Sequence, residues 1–108
     1  MSALTLFINI VHNLQKRHPH LQRGHVLSSP AIEYKGRAFA FCAKDNIVLK
    51  LGDVALLERE GIRAAQHFMP FSDQVPSRSW TKVPYYYHHD WATLMEEALV
   101  SMRAELDP

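Results

Sequence analysis

The nine residues VPYYYHHDW, positions 83 to 91, bring three tyrosines, two histidines, an aspartate and a tryptophan together. Rings and donors at that density suit two tasks: stacking on planar groups such as bases, or filling a protein interface. A second concentration of side chains, His18, His20 and His25, would offer three imidazoles to a divalent metal. However, Pro19 holds that stretch extended, and no carboxylate lies between Arg17 and Ile32 to complete a ligand shell. The segment therefore reads as a histidine-rich connector and no metal is expected, a His-dependent metal-binding protein or enzyme being the third choice of function. Cys42 is the single cysteine, so neither an intrachain disulfide nor a Cys-based zinc site can form within one chain. On a strand face shared with Ala38 and Ala40 it reads as an inert core thiol, because reactive cysteines need an electropositive and partly exposed setting.

Other reaction chemistry finds no support. There is no glycine-rich phosphate loop and no serine or cysteine in a nucleophile elbow. Glu96 and Glu97 are adjacent on a helix and diverge, which suits a solvated face better than an acid/base pair. No catalytic residue and no cofactor is expected. For nucleic acid the candidates are Lys35 and Arg37 at a hairpin tip, Lys44 at the next turn, and Arg78 with Lys82 near Trp80. Strong duplex binding draws on roughly 6 to 10 phosphate contacts. The chain carries 12 Lys and Arg against 11 Asp and Glu, a net charge of +1, so it would have to gather its bases on one face. The charge is graded: residues 1 to 32 hold Lys16, Arg17 and Arg23 with no acid, whereas residues 83 to 108 hold five acids against Arg103.

The elements that must position these groups can be read from periodicity. Leu4, Phe7, Ile8, Val11 and Leu14 form one stripe of a helix, with Ser2 as its N-cap and His18-Pro19 as its stop. Leu6 and Ile10 widen the stripe, so a second flank would also be covered, as by another copy of the chain. After a connector with a short strand near His25 to Leu27 comes AIEYKGRAFAFCAKDNIVLKL. Ile32 and Tyr34 alternate with Glu33 and Lys35, Lys35-Gly36 turns, Arg37 to Ala43 is a strand, Asp45-Asn46 turns, and Ile47 to Leu51 is a third strand. Strict alternation would put Phe39 and Phe41 on one face of the middle strand and Ala38, Ala40 and Cys42 on the other. Asp53 then caps a short helix, VALLERE, that stops at Gly61. HFMPF, residues 67 to 71, is a further strand candidate, SDQVPSRS is a loop, and Trp80 to Tyr86 is strand-like, with Pro84 arguing either for an edge strand or for a strand that ends there. Asp90 is placed to cap a last helix over Trp91 to Leu106, with Trp91, Leu94, Met95, Ala98, Met102 and Leu106 inside.

That order predicts one α+β domain over residues 1–108: an antiparallel sheet, a three-stranded meander plus one or two further strands, packed with an N-terminal helix, a short middle helix and a long C-terminal helix. The 108 residues, 47% apolar and 21% charged, suit a single soluble core. Neither a long apolar span nor a signal-peptide pattern stands out. The expected location is cytoplasmic, with no membrane partner.

The run EYKGRAFAFCAKDNIVLKL, the helix ending EREGI, then HFMPF, SRSWTKVP and a terminal helix opening DWATLMEEAL resemble the N-terminal domain of TfoX/Sxy proteins and the related MmcQ/YjbR group. The resemblance covers roughly residues 26–106 and rests on Gly36 with Phe39 and Ala40, Leu49-Lys50, Gly61, and Trp80 with Val83. It implies a small α+β domain whose biochemical role is largely unassigned, in families linked to regulation of DNA-uptake competence or described as DNA-binding, and the chain is read as a non-enzymatic regulatory or interaction domain. On this reading DNA is the first partner to consider, through Lys35, Arg37, Lys44, Arg78 and Lys82, and a second copy of the chain, as a homodimer, is the alternative. Tyr85, Tyr86, Tyr87, His88 and His89 remain as a stacking or interface surface.

Overall fold

The computed structural model describes residues 2–51, 66–67 and 80–107. The expected middle helix with its stop at Gly61, the loop SDQVPSRS with Arg78, and all of HFMPF except His67 lie outside the described residues.

Helix α1 spans Ala3–Arg17, and its start is local: the Ser2 hydroxyl accepts from the Thr5 N–H at 3.1 Å, satisfying one of the donors that a helix leaves free. It ends where the His18 N–H meets the Leu14 carbonyl, just before Pro19. The buried stripe is Ala3, Phe7, Ile10, Val11 and Leu14. Leu4, expected inside, is 47% exposed and Ile8 is only half-buried. Both readings have helical spacing; packing against the sheet selects the arc centred nearer Ile10.

Six antiparallel strands form one sheet, β1 (Gln22–Val26), β2 (Ser29–Tyr34), β3 (Arg37–Ala43), β4 (Asn46–Leu49), β5 (Gln66–His67) and β6 (Thr81–Pro84), in the order β1-β2-β3-β4-β6-β5. The predicted meander is β2, β3 and β4; β1 extends it on one side, and β6 with the two-residue β5 on the other. Lys35 and Gly36 both have positive φ, 51° and 79°, as the tight turn of a two-residue hairpin requires. The next turn falls one residue earlier than expected, at Lys44-Asp45, with Ala43 paired to Asn46.

The middle strand departs from simple alternation. Between β2 and β3 the register runs Ala31 to Phe41 and Ile32 to Ala40, then jumps to Glu33 opposite Ala38. Phe39 is the extra residue of a bulge, and a bulge resets the faces on either side of it. Phe39 therefore joins Ala40 and Cys42 in the main core, while Phe41 lies in a second cluster with Ala31 and Val48. The two phenylalanines were expected to share a face; they serve opposite ones.

Helix α2 spans Trp91–Leu106 and, with α1, packs on one face of the sheet, burying Trp91, Leu94, Met95, Ala98, Leu99 and Met102 against Phe7, Leu14, Ile32, Phe39, Ile47, Leu49 and Val83. Its limits are those that periodicity predicts. Its cap is not: the Asp90 side chain makes no capping hydrogen bond, because its backbone already lies in the right-handed helical region. The helix is entered instead from a 3₁₀ segment, Tyr85–Asp90, so that β6 ends at Pro84 and Tyr85 and Tyr86 leave the strand expected for them.

Candidate functional site

The register places the turns at two opposite ends of the sheet. At one end lie Tyr34, Lys35 and Gly36 of the β2–β3 turn, and the C-terminal turn of α2 closes on them. The Tyr34 hydroxyl donates to Asp107 Oδ2 and the Lys35 ammonium to Asp107 Oδ1, while Lys50 lies 3.4 Å from Glu105. The two hydrogen bonds, that from Lys35 first, hold the Asp107 carboxyl below its usual range. The same bonds to Asp107 push Tyr34 and Lys35 up, since each favours its proton-bearing form beside a carboxylate. His20 packs edge-on against the Tyr34 ring at 5.4 Å, with His18 edge-on to His20 at 6.0 Å. This is the latched end.

At the other end lie the Leu27-Ser28 turn, the Lys44-Asp45 turn and the 3₁₀ segment, tied down by the Tyr85 N–H donating to the Asp45 carbonyl at 2.9 Å. Trp91 is wholly buried beneath this end, and its indole N–H donates to the Pro84 carbonyl at 3.3 Å. Tyr85 meets the Trp91 ring edge-on at 5.6 Å and stacks on His88 at 4.7 Å and 14°. A hydrogen bond between His88 Nδ1 and the Tyr85 carbonyl at 3.0 Å closes the segment on itself. Tyr85 and Tyr87 pack against the core. Tyr86 instead stands 82% exposed, its ring edge-on to Tyr87 at 4.9 Å, and His89 is exposed beside His88. The five aromatic candidates thus divide into Tyr85, Tyr87 and His88, which build the end, and Tyr86 and His89, which it presents.

Leu27 is the residue that sequence reasoning passed over. It sits at φ 49°, followed by Ser28 at φ 70°, and is 58% exposed. Left-handed backbone costs a side chain with a Cβ roughly 1–2 kcal/mol, and a branched apolar side chain in water recovers none of it. From its turn, between β1 and β2, to the end of β6 is roughly 17 Å at the usual strand spacing, and the 3₁₀ segment with Tyr86 follows at that same end.

The basic candidates do not gather. Lys35 is taken up by Asp107, and Arg37 is exposed beside that turn. Lys44 is exposed at the opposite end of β3, seven residues away or roughly 20 Å. Lys82 is half-buried in mid-sheet, paired to Val48 and Gln66. Arg78 lies outside the described residues. The acids late in the chain fold back onto earlier bases, with Arg17 paired to Glu96, Lys35 to Asp107 and Lys50 to Glu105.

Among the described residues no group of three or more His, Cys, Asp or Glu side chains is placed to hold a metal ion. His25, on exposed β1 at the far end from His20, does not join His18 and His20. Cys42 is a buried free thiol whose Sγ faces the Lys44 carbonyl at 3.7 Å. Burial, and then the charge of Asp45, push its pKa up, the opposite of what a nucleophile needs. No helix among the described residues is long and apolar enough to cross a membrane.

The fold is thus α+β, and the described residues form one antiparallel sheet and two helices packed on it. Comparison with family models, with curated proteins and with solved structures finds no significant match to this chain.

Proposed function

We propose that the chain is a small non-catalytic interaction domain, of the kind its resemblance to TfoX/Sxy N-terminal and YjbR-like domains suggests, and that it works through the aromatic end of its sheet. The observation that carries this reading is Leu27: a leucine held in left-handed backbone and turned into water, on the same end as the exposed Tyr86. Such strain persists where surroundings or function over-determine it, and tyrosine is among the residues enriched at the energetic centres of protein contacts. The partner that fits is a second copy of the chain. The end carries Lys44 and Asp90, both exposed and of opposite sign, and a two-fold axis sets each against the other.

Light scattering across a concentration series tests it. The expected result is a mass rising from 12.4 kDa towards twice that value, with the rise abolished in Tyr86→Ala. A 12.4 kDa species at every concentration overturns it.

DNA binding is the second reading, favoured by the placing of Lys44 at the same end as Tyr86, a cation beside a stacking ring. Anisotropy with labelled single-stranded and duplex DNA at low salt separates the two. Binding that weakens with salt and is lost in Lys44→Glu supports DNA; no binding at micromolar protein removes it.

A further inference from the structure

We infer that the free edge of the sheet, strand β1, is a second binding site that accepts an extended peptide carrying a lysine or arginine opposite Gly24. The site is separate from the aromatic end and independent of that proposal. Among the described residues β1 is the outermost strand, paired only with β2, and Gln22, Arg23 and His25 are exposed along it. A two-residue hairpin is closed by a hydrogen-bonded pair, here Val26 with Ser29, and an antiparallel ladder bonds every second pair after that. Gly24 with Ala31 is then bonded, whereas His25 stands opposite Pro30, which has no N–H to give. The backbone groups of Arg23 and His25 consequently point away from β2 and are open to an added strand.

Two features make this edge selective. Bonding through Arg23 and His25 would set the incoming residue opposite Gly24 in a non-bonded pair, the closest approach in an antiparallel ladder, about 4.5 Å between Cα atoms. At that position the protein has no side chain of its own, and Glu33 fills the gap: a Cβ on Gly24 would lie 2.0 Å from Glu33 Oε2. The carboxylate thus lies along the edge, on the face that the incoming side chain must share, and it forms no ion pair among the described residues. Lys35, the nearest base in sequence, is already held by Asp107. A half-buried acid at the rim of a peptide-accepting edge fits a cationic side chain, and the backbone ladder supplies the rest of the affinity.

The test is selection of seven-residue segments from a random displayed library on the full chain, followed by anisotropy with the enriched peptides. The expected result is β-branched alternation around one Lys or Arg, with affinity falling about tenfold in Glu33→Gln and the preference turning to Asp or Glu in Glu33→Lys. His25→Pro removes an outward N–H that the ladder does not use, so it is expected to melt like the parent and to lose the peptide. In exchange experiments the Arg23 and His25 amides are expected to be protected when peptide is bound. Enrichment without a basic residue, binding indifferent to both Glu33→Lys and His25→Pro, or dimers broken by His25→Pro in the absence of peptide would each overturn the proposal.

Discussion

The two ends of the sheet are held by different physics. The latched end is closed by polar pairs in contact with water, Lys35 and Tyr34 on Asp107 and Lys50 on Glu105. Such pairs are screened and lose side-chain entropy on forming. The aromatic end is closed from beneath, by a tryptophan with no exposed surface and by rings packed on it. The difference explains why the two ends present such different surfaces. Charge at the first end goes into closure, whereas at the second, closed by the burial of Trp91, Tyr86, Leu27 and Lys44 stand exposed.

This contrast can be broken most decisively at Trp91. Trp91→Ala removes a wholly buried side chain and is expected to cost about 3–5 kcal/mol, read in calorimetry as a fall in Tm of more than about 10 °C. A loss no greater than that of a latch variant would sink the comparison. Next in size is the double change Leu27→Asn with Ser28→Gly, which puts the preferred residues at the two left-handed positions. It is expected to stabilise the fold by about 1 kcal/mol while weakening self-association, opposite signs that a purely structural leucine would not produce.

Smaller again is the latch. Asp107 has its folded pKa below its unfolded value, so it stabilises the fold at pH above the ordinary 3.8, and that contribution disappears as pH falls through the folded value. Tyr34 and Lys35 are raised, so what they contribute is present below the ordinary values of 10.0 and 10.5 and is lost as pH climbs beyond them. Asp107→Asn is therefore expected to melt slightly below the parent between pH 5 and 9 and to converge with it in strong acid. Urea titrations across pH measure the difference; a gap that persists below the carboxylate range would mean that Asp107 acts by packing and not by charge. The smallest effect on stability belongs to Tyr86→Ala, within about 0.5 kcal/mol, although association should be lost. A large destabilisation there would return Tyr86 to the core-building rings.

The legible parts of the molecule are those whose signal is local. The limits of α2 and of β3, the capping serine of α1, the Lys35-Gly36 turn and the end of β6 at Pro84 all follow from residues within a few positions of one another. The site was legible only in part. Density of rings pointed to Tyr85 through His89, but which of them face water depends on the fold of the 3₁₀ segment over Trp91. Leu27 carried no signal at all, because a leucine in left-handed backbone is what turn chemistry argues against. Spacing along the chain also made Lys44 look like a neighbour of Lys35 and Arg37, when the length of β3 holds it at the opposite end of the sheet.

By itself, then, the amino-acid sequence determined the α+β order of elements, most of the buried face of α2, with Leu99 missed and Leu106 only half-buried, and the grading of charge along the chain. Periodicity and capping act within one or two turns, and for these nothing further is needed. Only the tertiary structure decided that Phe39 and Phe41 part at a bulge, that the late acids close on Arg17, Lys35 and Lys50, and that Glu33 lies across Gly24 of the outermost described strand. Each of these depends on which strand or helix lies alongside, and pairing between distant segments is set by the whole packed core rather than by any window of residues.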